Sequence, residues 1–313
     1  MAAEVSAKEG DKNFIIDSHV HVLPPRRLGG LMRWIKRGFP SHPLSENITR
    51  DDILGDLASQ GVSHFFNFVY PLKEEETGPL NDFNKEFCAQ TPGAIPFASL
   101  HPETPDKSGL AERLLAKGDF AGFKFHPFVQ GFDPWDRRMD GLYGFLQEAG
   151  VPVVLHTGFE DFYKKPMPAD ELGKLLKRYP RLPAVFVHMA FPELEKVYGF
   201  MEDFPDLYLD ATNVPACLRD EFRPLLKAVP GGDRIPDLLQ KGLHRYQGRI
   251  MFGSDHPAGM GSLEDIYSDL KLIELEPSAR EALQAGAARA FSDRFFPGHD
   301  WSNCLKSPPL NSL

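Results

Sequence analysis

Short runs of Val, Ile, Leu and Phe alternate with amphipathic stretches along most of this chain. The apolar runs predict strands at about 14–21, 62–69, 95–100, 120–125, 151–155, 183–187, 207–209 and 249–252. Near-continuous apolar runs are typical of parallel strands that are buried on both faces. Because helical stretches separate them, the pattern indicates repeated βαβ units. The eight runs in about 280 residues favour a distorted (β/α)₈ TIM barrel over an open doubly wound sheet, which stays an alternative.

The segments between the runs carry the signals that begin and end helices. Helices are predicted at about 49–59, 80–90, 105–116, 140–148, 169–178, 192–202, 216–228, 236–246, 263–272 and 277–291. Gly61 and Gly150 stand just after two of them, where a left-handed residue often ends a helix. The first predicted strand lacks a following GxGxxG motif, so a dinucleotide-binding fold is not favoured.

The pattern predicts a single domain over residues 14–295, flanked by a polar N-terminal tail, 1–13, and an irregular C-terminal tail, 296–313. Residues 23–50, between the first strand and the first regular helix, are rich in Pro, Gly and Arg and include an apolar patch around Trp34. A connection of this length inside a compact domain is usually functional. We therefore expect it to form a lid over the end of the first strand.

Composition narrows the classes of partner. The 313 residues are 42% hydrophobic and 25% charged, as in soluble globular proteins. A net charge of −9 without any basic run argues against a nucleic-acid or membrane partner. Three distant cysteines, a polar N-terminus and the absence of a spanning apolar run indicate a cytoplasmic protein without disulfides. We expect a small-molecule substrate, and a homodimer is compatible with this type of barrel.

Polar side chains stand where the predicted strands end, and four of them form a candidate metal site. His19 and His21 alternate with Val20, so both lie on one face of the first strand. His156 ends the most apolar strand, where an unpaired imidazole would be costly, and Asp255 follows the eighth strand. The carboxyl ends of barrel strands share one rim. Three imidazoles and one carboxylate predict one divalent metal, Zn²⁺ first, with Mn²⁺, Co²⁺ or Fe²⁺ as alternatives.

Asp255 and His188 are the candidate catalytic residues. Water on the metal would have a pKa near ~7 and supply hydroxide at neutral pH. Asp255 is expected both to bind the metal and to accept the water's proton, with Gly253 allowing close backbone approach and Ser254 steadying the carboxylate. His188 ends the sixth strand, where an imidazole can orient the water or polarise a substrate oxygen.

The remaining strand ends and loops offer weaker candidates. Lys124 and His126 share a face of the fourth strand and are candidates for a second metal or for substrate, although His126 also precedes a proline and fits a turn. The candidate substrate-binding residues are Arg33, Trp135, Phe159 and Tyr163. Aromatic loop residues can stack on a flat substrate and an arginine can bind a carboxylate. The alternative is that the aromatics only pack the loops and that Arg33 is a solvated surface charge.

Several of these motifs together resemble the amidohydrolase superfamily. They are HVH on strand one, GFKFHP on strand four, VVLHTG on strand five, VFVHMA on strand six and GSDHP on strand eight. The likeness spans about 14–292 and is nearest to the amidohydrolase-related branch, which includes proteins similar to aminocarboxymuconate-semialdehyde decarboxylase. It implies a distorted TIM barrel whose metal is bound by His19, His21, His156 and Asp255, and a catalytic role for His188. Some superfamily members bridge two metals with a carboxylated lysine on strand four. Lys124 stands there, but its neighbours resemble the mononuclear branch.

The sequence therefore predicts a metal-dependent hydrolase that cleaves an ester, lactone or amide bond of a small organic substrate through metal-bound hydroxide. One alternative is a metal-dependent decarboxylase, a C–C lyase, of a small unsaturated or aromatic carboxylic acid. Another is a barrel that binds metal or ligand without catalysis. The first two require the same metal ligands, so the sequence alone does not separate them.

Overall fold

The computed structural model describes residues 14–305, so the predicted tail 1–13 and the last part of the C-terminal tail lie outside the described residues. Within 14–305, the strands are β1 Ile15–Val20, β2 Val62–Phe68, β3 Ala94–Phe97, β4 Phe123–Phe125, β5 Val153–His156, β6 Ala184–Val187, β7 Leu207–Asp210 and β8 Ile250–Met251. Each lies inside or close to one of the predicted apolar runs. The fourth and eighth strands are shorter than predicted.

The strands close into a ring. Pairing is parallel throughout, in the order β1-β2-β3 and in the order β4-β5-β6-β7-β8. A bridge between Ala98 and Phe123 joins the end of β3 to β4, and a bridge between Val20 and His256 joins the segment after β8 to β1. The two bridges link both edges of the three-stranded sheet to both edges of the five-stranded sheet. The predicted (β/α)₈ barrel is confirmed.

Helices occupy most of the connections between strands. They are α1 Pro25–Gly38, α2 Arg50–Ser59, α3 Thr77–Gln90, α4 Lys107–Leu115, α5 Pro127–Gln130, α6 Asp140–Ala149, α7 Glu160–Tyr163, α8 Ala169–Arg178, α9 Leu194–Asp203, α10 Arg223–Ala228, α11 Ile235–Arg245, α12 Leu263–Ser268, α13 Pro277–Glu281 and α14 Ala287–Phe295. A π-helical turn over Ala282–Gly286 joins the last two. The helix predicted over 216–228 is wrong in its first half, which forms 3₁₀ turns, because Pro215 and Pro224 cannot donate backbone hydrogen bonds there.

The segment expected to be a lid contains α1. Its buried residues, Leu28, Met32 and Ile35, recur every three or four positions and lie on one face of the helix. Trp34 contacts the rings of Phe162 and Tyr163 at centroid distances of 5.0 and 5.7 Å. The helix therefore packs against the loop that follows β5. Movement of this segment as a lid stays a prediction.

Alternate side chains along the strands enter different apolar clusters. On β5, Val154 packs in the cluster that side chains of both sheets form inside the barrel, whereas Val153 and Leu155 pack against helices. His156 has the parity of Val154 and therefore faces the barrel interior. The interior is closed at its other end by residues of α14. The polar strand ends are thus the open end of an otherwise apolar interior.

The first strand does not keep one parity along its length. Ile16 packs in the interior cluster, whereas Val20 packs in the cluster between β1, β2 and the first helices. The pairing of β1 with β2 has a register shift between Asp17 and Val20. Such an irregularity reverses which face each following side chain occupies. It is what turns His19 and His21 to the inside.

Candidate metal centre

Three ligand atoms from the two ends of the chain converge at the open end of the barrel. Nε2 of His19 lies 3.1 Å from Nε2 of His21, and Oδ1 of Asp255 lies 3.5 and 3.2 Å from these two nitrogens. All three residues are buried. Among the residues from 14 to 305, these form a group whose ligand atoms lie within 4.8 Å of one another.

The second nitrogen of each imidazole fixes which nitrogen carries the proton. Nδ1 of His19 donates to Oδ2 of Asp210 at 2.8 Å, and Nδ1 of His21 donates to the carbonyl oxygen of Phe68 at 2.9 Å. The Phe68 carbonyl has no hydrogen, so Nδ1 of His21 bears one. With Asp210 ionised, Nδ1 of His19 bears one as well, and both Nε2 atoms then present a lone pair. Burial first, and the charge of Lys124 next, lower the pKa of His19 well below its usual value. The ring is therefore neutral.

Two imidazole lone pairs and a carboxylate oxygen thus face one another without a hydrogen between them. Such a set of acceptors is repulsive unless a cation lies among them. Two ligands of a tetrahedral ion with bonds of about 2.0–2.1 Å stand about 3.3–3.4 Å apart, close to the separations found here. The donor set, nitrogen and oxygen, is one that Zn²⁺ and neighbouring divalent ions accept. These residues fit a divalent metal.

His156, the fourth predicted ligand, is not in the group whose ligand atoms lie within 4.8 Å of one another, and both of its ring nitrogens are buried with no protein partner. Its ring stacks on His126 at a centroid distance of 3.7 Å and meets His188 edge-on at 4.5 Å. Buried polar atoms in proteins nearly always have a partner. A histidine with two unpartnered nitrogens next to a cation site has the chemistry of a further ligand.

His188 presents its remaining ring nitrogen as an acceptor. Nδ1 donates to the carbonyl oxygen of Thr212 at 2.8 Å, which leaves the lone pair on Nε2. Burial lowers the pKa of His188 to about 4, with Asp255 opposing the shift, so the ring is neutral near pH 7. The ring stacks with that of His19 at 5.7 Å. It is therefore placed to accept a proton next to the candidate metal group.

Asp255 is held as an ionised carboxylate. Burial alone would raise its pKa, but the neighbouring His21, His188 and Lys124 together outweigh burial and lower the pKa below the usual value. Oδ2 accepts a hydrogen bond from Nδ2 of Asn213 at 3.1 Å, while Oδ1 faces the two histidines. One oxygen is thus oriented by the protein and the other is directed to the metal group.

Backbone strain is concentrated at the same place. Asp255, Asn213, His188 and Phe159 all have positive φ, at 59°, 65°, 58° and 52°. Left-handed backbone in such residues costs of the order of 1–3 kcal/mol each and persists where surrounding contacts impose it. Four strained residues around one group of side chains are typical of a functional site, where the required side-chain geometry is kept at a cost in folding stability.

Gly253 provides the close approach of β8 to β1 that the sequence suggested. A Cβ at this position would lie 2.5 Å from Cβ of His19 and 2.6 Å from its backbone nitrogen. The suggestion that Ser254 steadies the Asp255 carboxylate is wrong. The Ser254 amide donates to Asp17, and its hydroxyl accepts from the amide of His256. Asn213 orients Asp255 instead.

Lys124 is buried behind the candidate metal group. Its Nζ lies 3.5 Å from Nε2 of His19 and 4.7 Å from the centre of the Phe68 ring. Burial lowers the pKa of its amine, and burial raises the pKa of the neighbouring Asp210 carboxyl. Lys124 is not among the residues that line the open cavity, so a direct substrate contact is not supported.

A cavity of about 1090 Å³ opens above the site. Its floor includes His21, His126, His156, His188 and Asp255. Its walls are largely aromatic, with residues from α1, from the loops after β2 and β5, and from the region of α10 and α11. This volume is large enough to accommodate a small organic molecule above the histidine-rich floor.

Comparison with known proteins agrees with this geometry. An amidohydrolase family model matches residues 16–292. The chain belongs to the amidohydrolase family. None of the curated protein sequences matches the chain.

Several solved structures share the fold of this amidohydrolase. An uncharacterised TIM-barrel protein from Bordetella bronchiseptica has 19% identity and a TM-score of 0.65, over 90% of this chain and 98% of that one. A putative 2-pyrone-4,6-dicarboxylic acid hydrolase from Pseudomonas putida has 18% identity and a TM-score of 0.59, over 90% and 98%. A dihydroxybenzoic acid decarboxylase from a Polaromonas species, with bound manganese, has 15% identity and a TM-score of 0.62, over 89% and 96%.

Family membership makes this chain an enzyme of the amidohydrolase type, which speaks against a barrel without catalysis. No helix within residues 14–305 is both long and apolar enough to cross a membrane.

The structure brings only part of the predicted substrate site to the cavity of the amidohydrolase. Phe159 and Tyr163 line it. Trp135 does not, because its indole donates to Glu171 and lies beside Lys174. Arg33 is exposed on α1 and is not among the lining residues. A substrate contact for Trp135 or Arg33 is therefore not supported.

Sequence reasoning missed three contributors to the site. Asp210 is the polar residue that ends β7, and it shares the parity of Tyr208, which packs inside the barrel. Asn213 follows three residues later in an irregular segment, where no local pattern indicates its role. Trp34 was placed in the apolar patch of the expected lid, and it lines the cavity.

Proposed function

We propose that this amidohydrolase hydrolyses an ester, lactone or amide bond of a small organic substrate and that it uses one divalent metal. Zn²⁺ is the first candidate for that metal. The observation that carries the proposal is the convergence of three acceptor atoms without a hydrogen, from His19, His21 and Asp255, at the open end of the barrel, below a largely aromatic cavity. His156, with two unpartnered ring nitrogens beside them, is the proposed fourth ligand.

A divalent metal held by these residues would act as a Lewis acid and lower the pKa of water to near ~7. Side chains of the protein accept and return the proton of the attacking water. Asp255 is ionised and fixed by Asn213, so its carboxylate can take the proton that the attacking water loses. The acyl–oxygen or acyl–nitrogen bond then breaks, and the leaving atom takes up that proton. One water is consumed and a carboxylic acid is released.

His188 is proposed to orient the attacking water. Its Nδ1 proton is engaged by the carbonyl of Thr212, so Nε2 accepts a hydrogen bond and does not donate one. With its pKa lowered to about 4, the ring stays an acceptor at neutral pH. Of the two roles expected for His188, orienting water therefore fits better than polarising a substrate carbonyl, which would need a donor.

The experiment must distinguish hydrolysis from the alternative reaction, decarboxylation. Among the structural neighbours, the P. putida protein is described as a putative hydrolase and the Polaromonas protein as a decarboxylase. We favour hydrolysis because a neutral proton-accepting histidine and an ionised aspartate face the same group of ligands, as activation of water requires.

The test is metal analysis of the purified protein, followed by assay of the metal-loaded enzyme against aryl esters, lactones, anilides and aromatic acids. We expect about one equivalent of metal and release of acid from esters or lactones. Asp255→Asn should abolish that turnover. The matched control is Asp237→Asn, an exposed aspartate on α11. Release of CO₂ from an aromatic acid, without turnover of any ester, lactone or anilide, would overturn the hydrolase proposal in favour of the lyase.

A further inference from the structure

We infer that this enzyme selects a substrate whose body, away from the reacting bond, is apolar and uncharged, and that it rejects a remote carboxylate. The inference rests on the proposed function for the reacting bond, but it concerns how the cavity recognises the rest of the molecule.

The wall of the cavity is aromatic on the side that faces the candidate metal group. Its aromatic residues are Trp34, Phe39, Tyr70, Phe159, Phe162, Tyr163, Phe191 and Phe222. Trp34 packs edge-on against Phe162, and Phe159 stacks on Phe191 at 4.7 Å, so the rings support one another. Rigid ring surfaces stabilise a flat apolar body by burial and by edge or face contacts.

The wall continues as an apolar surface toward α10 and α11. Leu225, Val229, Ile235 and Leu238 belong to this part. Leu225 is 41% exposed, and together with the other three side chains it extends the apolar surface of the cavity wall. An apolar group that extends from the reacting centre in this direction would bury that surface, at about 25 cal/mol per Å².

Charges on the cavity wall would repel an anion. Among the described residues, the basic side chains that line the cavity are Lys196 and Arg234. Lys196 is paired with Asp170 at 2.8 Å and with Glu193 at 3.2 Å, and Arg234 is paired with Glu195 at 2.9 Å. Neither ammonium nor guanidinium is left to receive a substrate carboxylate.

The acidic side chains that line the cavity are more numerous. They are Glu160, Asp161, Glu193, Glu195, Glu221 and Asp255. Glu193, Glu195 and Glu221 are paired with Lys196, Arg234 and Arg219, so the excess negative charge lies on Glu160 and Asp161, apart from Asp255 at the metal group. Burial raises the pKa of Glu160, and the charges of Glu193 and Asp161 act in the same direction. A second carboxylate brought by a substrate would lose water, find no cation and meet like charges. Only a carboxylate at the reacting centre itself would be offset by the metal.

The experiment compares three naphthyl esters on the metal-loaded enzyme: 2-naphthyl acetate, the same ester with a carboxylate at position 6, and the same ester with an aminomethyl group at position 6. We expect kcat/KM for the carboxylate ester to be at least about 10-fold below that of the neutral ester, which corresponds to about 1.4 kcal/mol. The aminomethyl ester should be hydrolysed at least as well as the carboxylate ester.

Reversing one charge at the mouth of the cavity tests whether negative side chains cause the slower hydrolysis of the carboxylate ester. Asp161 is exposed at the start of α7 and lines the cavity, so Asp161→Lys should raise the ratio of carboxylate-ester to neutral-ester kcat/KM by about 3-fold or more. The control is Glu86→Lys, an exposed position on α3 outside the cavity, which should leave that ratio unchanged. A ratio that does not respond to Asp161→Lys would contradict the electrostatic cause.

Binding separates this inference from the proposed reaction. The three matching methyl ketones, 2-acetylnaphthalene and its 6-carboxylate and 6-aminomethyl derivatives, have no bond to hydrolyse and are titrated by calorimetry. If no ester is turned over, the hydrolase proposal fails, and the order of these affinities still decides the inference. A carboxylate probe that binds as tightly as the neutral probe, or is hydrolysed as fast, overturns it.

Discussion

Asp210 accepts a hydrogen bond from Nδ1 of His19 at 2.8 Å, although the two residues are 191 positions apart in the chain. Both are buried. The contact decides which nitrogen of His19 carries its proton, and so directs the lone pair of Nε2 toward His21 and Asp255. A carboxylate that orients a ligand histidine in this way typically contributes 10–100-fold to metal affinity.

Substitution of this orienting carboxylate should weaken metal binding without removing a ligand. We expect Asp210→Asn to lower Zn²⁺ affinity by about 10–100-fold, because an amide presents less negative charge to the His19 ring and can turn its NH₂ group toward it. Competition with a chromogenic chelator measures the dissociation constant. Asp237→Asn, on the exposed face of α11, serves as the control. An affinity within about twofold of the wild-type value would contradict the orienting role.

Loss of His156 should remove metal from the protein. Both of its ring nitrogens are buried without a protein partner, so ligation is the interaction that His156→Ala would delete. Elemental analysis after dialysis should show metal well below one equivalent. His101→Ala is the matched control, because His101 also follows a strand and its Nδ1 accepts from the amide of Glu103. Full metal content in His156→Ala would show that the ligand assignment is wrong.

Loss of His188 should affect turnover and spare the metal. We expect His188→Ala to reduce kcat by about 10²-fold or more, as for removal of a general acid–base group, with wild-type metal content. The ring lies next to the metal group but its Nδ1 is engaged by the Thr212 carbonyl. If the variant loses its metal, His188 is a ligand and its proposed role in orienting water is wrong.

Two glycines give a matched pair of substitutions with opposite expected effects. Gly253→Ala would place a Cβ 2.5 Å from Cβ of His19, so we expect a loss of about 1–3 kcal/mol in the free energy of unfolding, together with weaker metal binding. Gly55→Ala, inside α2 with nothing within 4 Å, should stabilise the protein by about 0.5–1 kcal/mol. Urea denaturation at neutral pH measures both. Equal effects of the two substitutions would show that the approach of β8 to β1 is not tight.

A buried histidine far from the metal group should make stability depend on pH. His64 on β2 is packed against Trp301 and His299, and burial lowers its pKa from 6.5 to about 4. Below about pH 6.5 the imidazole of His64 therefore binds a proton in the unfolded chain, whereas in the folded protein it stays neutral until the pH approaches 4. Its contribution to stability is complete above pH 6.5 and is lost as the pH falls toward 4.

Urea denaturation at pH 7 and pH 5 tests this prediction. His64→Phe keeps a ring in the aromatic cluster and removes the titration, so the variant should lose less free energy of unfolding between the two pH values than the wild type. His244→Gln, at a half-buried histidine on α11, should lose as much as the wild type. Identical losses in His64→Phe and in the wild type would exclude His64 as a cause.

The sequence determined the eight apolar runs, their alternation with helices and the polar residues at the ends of seven of the eight strands. These features are local, because each strand or helix is indicated by the pattern of apolar and polar residues within its own short stretch of sequence. They suffice for the closed barrel and, together with the motifs, for the amidohydrolase family. His19, His21 and Asp255 converge as the rim of a barrel requires, and their role as ligands stays a prediction.

Tertiary structure decided the details that make this a site. The register shift in β1 turns His19 and His21 inward, and the barrel closure brings Asp210 to His19 and Asn213 to Asp255. The same closure leaves Arg33, on α1, and Trp135, in the segment after α5, outside the lining of the cavity. Periodicity fixes which way a side chain points relative to its own strand. Which distant partner it meets depends on how all eight strands pack, and no local stretch of sequence carries that information.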